Sequence, residues 1–409
     1  MYEMDSLFPC KKCGAIIGPF CESGISAAKR WFGEKDRFDV PKKLQQPKLT
    51  VSRAALRLGF VPLTDSAPLV MAHELGLFRK YGLQVKLTRE LGWASIRDRV
   101  IHRELDAAHA VSGMPFAATL GLGSVRCECL TGLVLNQHGN GITLSNDLWS
   151  RGVQDATTLR EEIFRQRGRK TFTFGVVFPF SSHNFLLRGW LAAAGINPDS
   201  DVRIVVVSPP QMVANLKAGH LDGFCAGEPW NSLAVQAGAG WIAAISAELA
   251  PRHPEKVLMV RREFAEQRSD EHLALIAGLL DACAFCDDPE NRGEVIAILS
   301  RPEYVGVTAD ALRPAFSGEF NLGHRQFRTV TQFNSFHGDD ANEPSREKAA
   351  WVIQHLRNSS LCKDASALDF ELGRRVFRMD IFEKASRLHR STKHNHEHET
   401  EPEKQIVLA

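Results

Sequence analysis

Twice along this chain a helical stretch gives way to a leucine-aspartate pair and then to an apolar strand. The first case is Glu104-Leu105-Asp106-Ala107-Ala108 and the second is His220-Leu221-Asp222-Gly223-Phe224. The same grammar surrounds each pair. In the first half, Leu56 to Phe60 reads as a strand and Pro62 to Ser66 as a turn. Pro68 to Lys80 then reads as a helix closed by Gly82, and Leu83 to Thr88 as a strand. A glycine turn at Gly92, a helix reaching Arg103 and the strand Ala107 to Val111 complete it. In the second half, strands at Thr173 to Val177, Val202 to Val207 and Gly223 to Ala226 alternate with helices at His183 to Ala194 and Pro210 to Ala218. Parallel neighbours need a crossover, so strands alternating with helices predict parallel-rich sheets. A duplicated plan of this kind predicts a two-lobed α/β fold with a ligand cleft at the strand C-terminal ends.

The 409 residues are enough for two lobes and additional segments. Residues 1–53, basic and interrupted by prolines, read as an N-terminal extension, 54–145 as the first segment of lobe 1, and 146–260 as lobe 2. Residues 261–388 read as a helical return packing on lobe 1 and the lobe exterior, and 389–409, polar and low in complexity, as a disordered tail.

Fifty basic against 48 acidic residues leave a net charge of +2. Such a balance creates no global field for nucleic acid or an anionic membrane, so any recognition by charge must be local. The residues from Met1 to Phe20 hold no apolar run like the core of a secretory signal, and nothing elsewhere approaches a membrane span. Nine cysteines are scattered from Cys10 to Cys362. These features together lead to the expectation of a cytoplasmic protein with reduced thiols.

Two segments carry the most information, Gly223-Phe224-Cys225-Ala226-Gly227-Glu228-Pro229-Trp230 and Pro254-Glu255-Lys256-Val257-Leu258. With them belong Gly59 to Pro68, Gly92-Trp93-Ala94 with Arg97-Asp98, Asn136 to Thr143, and His183-Asn184 followed by Arg188 to Ala193. In order and approximate spacing these six resemble signature segments of the nitrate- and bicarbonate-binding proteins of ABC transport systems. The resemblance covers roughly Leu56 to Gln354. It implies a periplasmic-binding-protein-like fold of type II, with a planar oxyanion held by Trp93, an amide in the Asn136 to Thr143 loop, His183, the backbone of Gly227, and Lys256. The relatives carry a glutamine where Asn140 stands, so Asn140 is the favoured amide and Gln137 the alternative.

Elementary chemistry agrees with that set. A trigonal anion taken out of water needs a hydrogen bond to every oxygen and at least one compensating charge. Lys256 supplies the charge, while an indole N–H, an imidazole, an amide and a backbone N–H supply direction. An all-donor pocket favours nitrate or nitrite, since bicarbonate brings a hydroxyl that needs an acceptor. Glu228, next to Gly227, is the residue that would change this if it pointed inward. Without the resemblance, Lys256 would read as a solvated lysine, and Trp93 and Trp230 as packing aromatics.

With no export signal read, the chain is similar to the cytoplasmic nitrate/nitrite sensors of the NasS kind. That resemblance implies regulation of nitrate assimilation by ligand-dependent binding of a NasT-like RNA-binding antiterminator. The alternative is the substrate-binding component of an ABC importer for nitrate, bicarbonate or a related anion. No nucleophile elbow, zincin motif, phosphate loop or dinucleotide fingerprint stands in a credible context, so no enzyme, cofactor or metal is expected. Cys10, Cys13 and Cys21 lack a fourth zinc ligand, and Cys283 and Cys286 read as buried apolar thiols.

Overall fold

The computed structural model describes residues 54–359, 361–362 and 365–399; the expected N-terminal extension with Cys10, Cys13 and Cys21 lies outside these. Lobe 1 is built on β1 (Leu56–Phe60), β2 (Val85–Arg89), β3 (Ala107–Val111), β4 (Cys129–Leu130) and β5 (Val134–His138). Lobe 2 contains β6 (Asn140–Ser145), β7 (Thr173–Val176), β8 (Arg203–Val206), β9 (Gly223–Gly227) and β10 (Gly240–Ile245). After these come β11 (Pro254–Arg261), a hairpin of β12 (Glu319–Gly323) and β13 (Gln326–Thr329), and the short β14 (Asn334–Ser335).

The first sheet runs β14-β5-β11-β3-β1-β2, with β4 beside β11, and the second runs β10-β6-β9-β7-β8. Each has a parallel trio, β2-β1-β3 or β8-β7-β9, extended by one antiparallel strand. That added strand is β11 in the first sheet and β6 in the second. Lobe 2 therefore begins at β6 and ends with β10, so the expected boundaries at 145/146 and 260/261 are both displaced. Periodicity marks a strand but not the sheet it joins.

The repeated leucine-aspartate pair now has a physical reason. Asp106 accepts the backbone N–H of Arg57 at 2.8 Å, fixing the start of β1, and Asp222 accepts that of Thr173 at 2.8 Å, fixing the start of β7. Each carboxylate also pairs with a nearby base, Arg57 or Lys170. The leucines cover glycines of the first strand in each lobe. A Cβ on Gly59 would lie 2.5 Å from Leu105, and one on Gly175 would lie 2.9 Å from Leu221. Close approach of the leucine thus requires glycine at both places.

Two crossovers join the lobes. At the first, His138 (φ 64) and Gly139 (φ 98) turn the chain from β5 into β6. At the second, the short helix Ser246–Leu249 and Arg252 (φ 63) lead from β10 into β11. The crossovers are tied to each other, since His138 N–H donates to the His253 carbonyl at 3.4 Å and Arg252 N–H donates to the His138 ring at 2.5 Å.

The expected helix over Pro68 to Lys80 is broken into Ala67–Glu74 and Leu77–Lys80 by Gly76, which adopts φ 69. Helix Ser269–Asp287 buries Cys283 and Cys286 as expected and packs against Ala67–Glu74 and Met379–Glu399. The last of these places helix at 389–399, where disorder was expected, while residues 400–409 of that expected tail lie outside the described residues. His389 is anchored to Asp281 at 2.8 Å, a pairing that composition does not disclose.

Gly139 yields a test. A Cβ there would sit 2.2 Å from Asn334 Oδ1, whereas Gly152, with a similar φ of 88, has nothing within 4 Å. Both alanine variants incur backbone strain of about 1–3 kcal/mol, but only Gly139→Ala adds a clash. Chemical denaturation is expected to show the larger loss of stability for Gly139→Ala. Equal losses would mean that the crossover accommodates the methyl group freely.

Candidate functional site

Lys256 lies between two carboxylates, its Nζ 2.6 Å from Asp65 Oδ2 and 2.5 Å from Glu255 Oε1, with all three side chains no more than 1% exposed. Around them gather elements of both lobes. Asp65 comes from the 3-10 turn Thr64–Ser66 after β1, Trp93 opens the helix Trp93–Ile101 after β2, and His109 belongs to β3. From lobe 2 come Asn140, the first residue of β6, then Ser182 and His183 opening the helix Ser182–Ala193, and Gly227, which ends β9.

Neighbours on a regular strand point to opposite faces, yet Glu255 and Lys256 meet at one point. The register explains this. Pro254 pairs with Gln137 and Lys256 with Asn136, so Glu255 is an extra residue on the β5 side of β11. A bulge of this type re-aims a side chain, here turning the carboxylate inward beside the amine.

Glu255 is heavily engaged. Its Oε2 accepts from Asn140 Nδ2 at 2.5 Å and from the Ser182 hydroxyl, and lies 3.4 Å from His253 Nε2. Its Oε1 is 3.6 Å from His183 Nε2. Asp65 Oδ1 is 2.9 Å from His109 Nε2. The Trp93 ring completes the wall, with Lys256 Nζ 5.3 Å and the His109 ring 5.3 Å from its centre.

Burial pushes the Lys256 ammonium toward its neutral form, but Asp65 and Glu255 outweigh this and hold its pKa above the ordinary value. Burial likewise pushes both carboxyls up, and Lys256 overturns it, so both end below the usual range. His183 is pushed down to about 4 by burial, with Glu255 opposing, and burial also lowers His109. At neutral pH one ammonium therefore faces two carboxylates and neutral imidazoles. Against this background stand unused groups. Among the described residues, the Trp93 indole N–H and both ring nitrogens of His183 make no hydrogen bond. Buried polar groups without partners are uncommon, and in the same cluster His109 Nδ1, His253 Nε2 and Asn140 Oδ1 are likewise without one, so this wall has hydrogen-bonding capacity left over.

The structure thus brings together Trp93, Asn140, His183, Gly227 and Lys256. A Cβ on Gly227 would lie 3.4 Å from Asp65 Oδ2 and 3.5 Å from Asn140 Oδ1, so a larger residue there would crowd the cluster. Gln137 is not part of it, and lines a separate cavity with Arg252, Asp287 and Asp340. Glu228 also points elsewhere. Its carboxylate accepts the Ser232 N–H at 3.1 Å, and burial pushes its pKa up to about 7. Its carbonyl accepts Thr64 N–H at 2.9 Å, a bond between lobes. The expectation of an all-donor pocket is overturned by Glu255 and Asp65. Of the residues missed, Glu255 stood beside Lys256 and Asp65 lay within the Gly59 to Pro68 segment, while His109, Ser182 and His253 had no signal that distinguished them from core polar residues.

Trp93 also lines a cavity of about 440 Å³ between the lobes, with Leu91, Gly92 and Ser95 on one side and Val177, Phe178, Val207 and Ser208 on the other. The buried cluster is thus one indole away from an open cleft.

The profile of the NMT1-like family matches residues 50–300, more than half of the chain. This chain belongs to the NMT1-like family. Two curated relatives agree. The nitrate import ATP-binding protein NrtC of Synechocystis sp. is 41% identical over 340 residues, covering 81% of this chain and 50% of NrtC. The nitrate/nitrite binding protein NrtA of Nostoc sp. is 33% identical over 350 residues, covering 83% of this chain and 78% of NrtA. This NMT1-like chain therefore spans about half the length of NrtC. Among solved structures, the periplasmic nitrate-binding protein NrtA from Synechocystis matches with a TM-score of 0.78 at 29% identity, over 81% of this chain and 88% of that one. The two-lobed α/β plan expected from the repeats, and the solute-binding-protein fold implied by the resemblance, are the fold of this NMT1-like chain.

Buried histidines give the second test. His138, His183 and His272 are each pushed down to about 4 by burial from an ordinary 6.5. A depressed histidine contributes stability above 6.5 that is lost as pH falls toward 4, because the unfolded chain then binds more protons. Glu228, raised to about 7, works in the opposite sense between 4.5 and 7. Three groups against one predict a net fall in stability from pH 6.5 to 4.5. Denaturation midpoints that hold constant or rise over this range would show that these imidazoles are not buried neutral.

Proposed function

We propose that the chain is a cleft receptor for nitrate or nitrite that binds and releases its ligand without turnover. The observation that carries this reading is the set of unused donors on Trp93 and His183 beside the buried amine of Lys256. A planar oxyanion placed against the indole and imidazole would take one N–H from each and approach the ammonium. The nitrate and nitrite named for the NrtA relatives support the same ligand class.

We further infer that the protein is a cytoplasmic sensor whose ligand state governs binding of a NasT-like antiterminator. Cys127, Cys129, Cys225, Cys283 and Cys286 are free thiols, which suits a reducing compartment. Because groups from both lobes surround Lys256, ligand favours one lobe arrangement, and a partner that distinguishes arrangements becomes linked to the ligand in both directions. A partner complex unchanged by saturating nitrate, or fractionation of the native protein outside the cytoplasm, would end the sensor reading.

Glu255 favours a second ligand. Its carboxylate and that of Asp65 are acceptors, and bicarbonate has a hydroxyl to donate whereas nitrate has none. Delivery of either anion to an ABC importer is the corresponding alternative role. Isothermal titration with nitrate, nitrite and bicarbonate separates these ligands, and heat from bicarbonate alone would replace the nitrogen oxyanions.

Two outcomes are expected if nitrate is the ligand. Trp93→Phe keeps an aromatic wall and removes one donor to a charged acceptor, about 1.5–3 kcal/mol, or roughly 10- to 150-fold in affinity. Lys256→Ala is less clean, since two unpaired buried carboxylates would cost about 3–5 kcal/mol of stability. Nitrate binding is also expected to tighten as pH falls from 6 toward 4.5, because the bound anion raises the pKa of adjacent His183 above its value of about 4 and binding then takes up a proton. Titration of the full chain at pH 6 and pH 5, with affinity weaker at pH 5, would exclude a protonated His183 beside the anion.

A further inference from the structure

On the outer side of lobe 1, away from the cleft, Cys127 and Cys129 lie with their Sγ atoms 4.0 Å apart. Both backbones are held in place. Cys127 N–H donates to the Ala118 carbonyl at 2.9 Å, while Cys129 donates its N–H to Thr119 Oγ1 at 3.0 Å and accepts the same hydroxyl at 3.1 Å. Cys129 begins β4 and is buried, whereas Cys127 is half-buried. Cys127 lines a cavity of about 330 Å³ with Arg103, Glu128, Arg261, Arg262 and Glu263.

We propose that Cys127 is a reactive thiolate and Cys129 its resolving thiol, so that this pair is an oxidation site closed by hydroperoxides. The Cys127 thiolate attacks one peroxide oxygen, the O–O bond breaks, and hydroxide leaves to become water. The Cys129 thiol then attacks the sulfenic sulfur, gives up its proton and displaces a second water. Two thiols and one hydrogen peroxide become a disulfide and two waters.

Three features support the assignment of roles. The Cys129 thiol points at Cys127 and, with Arg261 and then Arg103, holds the Cys127 pKa down to about 7 against burial and the opposing charge of Glu263. The Cys129 thiol is pushed well above the ordinary range, first by Cys127 and then by burial, which suits the second position. Access is asymmetric, since the cavity reaches Cys127. A ring between residues two apart is tight for a disulfide, as an extended pair approaches the roughly 6.8 Å limit between Cα atoms. Tight disulfides are the readily reduced ones, so closure would be reversible. Glu128, between the cysteines, pairs with both Arg262 and Arg375 at 2.7 Å. Contraction of this tripeptide therefore acts on the clamp between the helix Arg262–Gln267, which follows β11, and the helix Phe370–Val376.

The tryptic peptide Cys127–Arg151 contains both thiols and no other cysteine, which makes the chemistry readable in the full chain. Hydrogen peroxide is expected to remove two hydrogens from this peptide, and dithiothreitol to restore them. With Cys129→Ser, dimedone should instead trap a sulfenic acid on Cys127. Iodoacetamide on the reduced protein should modify Cys127 on the order of tenfold faster than the half-buried Cys362 at pH 7. Its rate should reach half-maximum near pH 7. A peptide unchanged by peroxide, a dimedone adduct absent from the Cys129→Ser variant, or a Cys127 rate equal to that of Cys362 would each overturn the assignment. Because the oxyanion ligand takes no part in this chemistry, failure here leaves the receptor reading intact, and the converse holds as well.

Discussion

An ammonium group with no exposed surface, held between two carboxylates, is the constraint around which the lobes are arranged. A buried lysine needs neutralisation, and a buried carboxylate needs either a cation or several donors. Asp65 and Glu255 satisfy Lys256, and they are in turn satisfied by His109, Asn140 and Ser182. Asn140 and Ser182 belong to lobe 2, so satisfying the charge of lobe 1 depends on the other lobe being in place. The electrostatics of the site and the apposition of the lobes are one problem.

The positions of these groups follow from the duplication. Asp65 follows β1 as Ser182 and His183 follow β7. Asn140 opens the antiparallel strand β6 of one sheet, and Glu255 and Lys256 lie at the start of its counterpart β11 in the other. Equivalent places around an approximate symmetry thus supply opposite chemistry. Lobe 1 contributes the charges, and lobe 2 contributes neutral donors and a bare glycine.

Much of this was legible in the sequence because its cause is local. Leu105-Asp106 and Leu221-Asp222 marked the repeats, since a capping carboxylate and a leucine over a glycine act within neighbouring strands. Trp93, Asn140, His183, Gly227 and Lys256 were marked by similarity of motifs, and the fold gathers them. Glu255 was not legible as an inward group, because its direction depends on a bulge set by pairing with Gln137 and Asn136, more than a hundred residues away. Lobe boundaries failed for the same reason, as β6 and β11 read as ordinary strands and reveal their sheet only through partners. The helix after His389 depends on Asp281, another distant partner.

The exchange of crossover strands bears on how the chain can reach this structure. The trio β2-β1-β3 is complete by Val111, but the strand that covers its open edge, β11, ends only at Arg261. Until then the backbone groups along β3 lack their neighbour, and an exposed edge invites unintended pairing. Lobe 2 has no such delay, since β6 precedes the strands it joins. During synthesis, the half that carries the ionic cluster is therefore the one that must wait, and the residues that close its sheet are those that complete its charge.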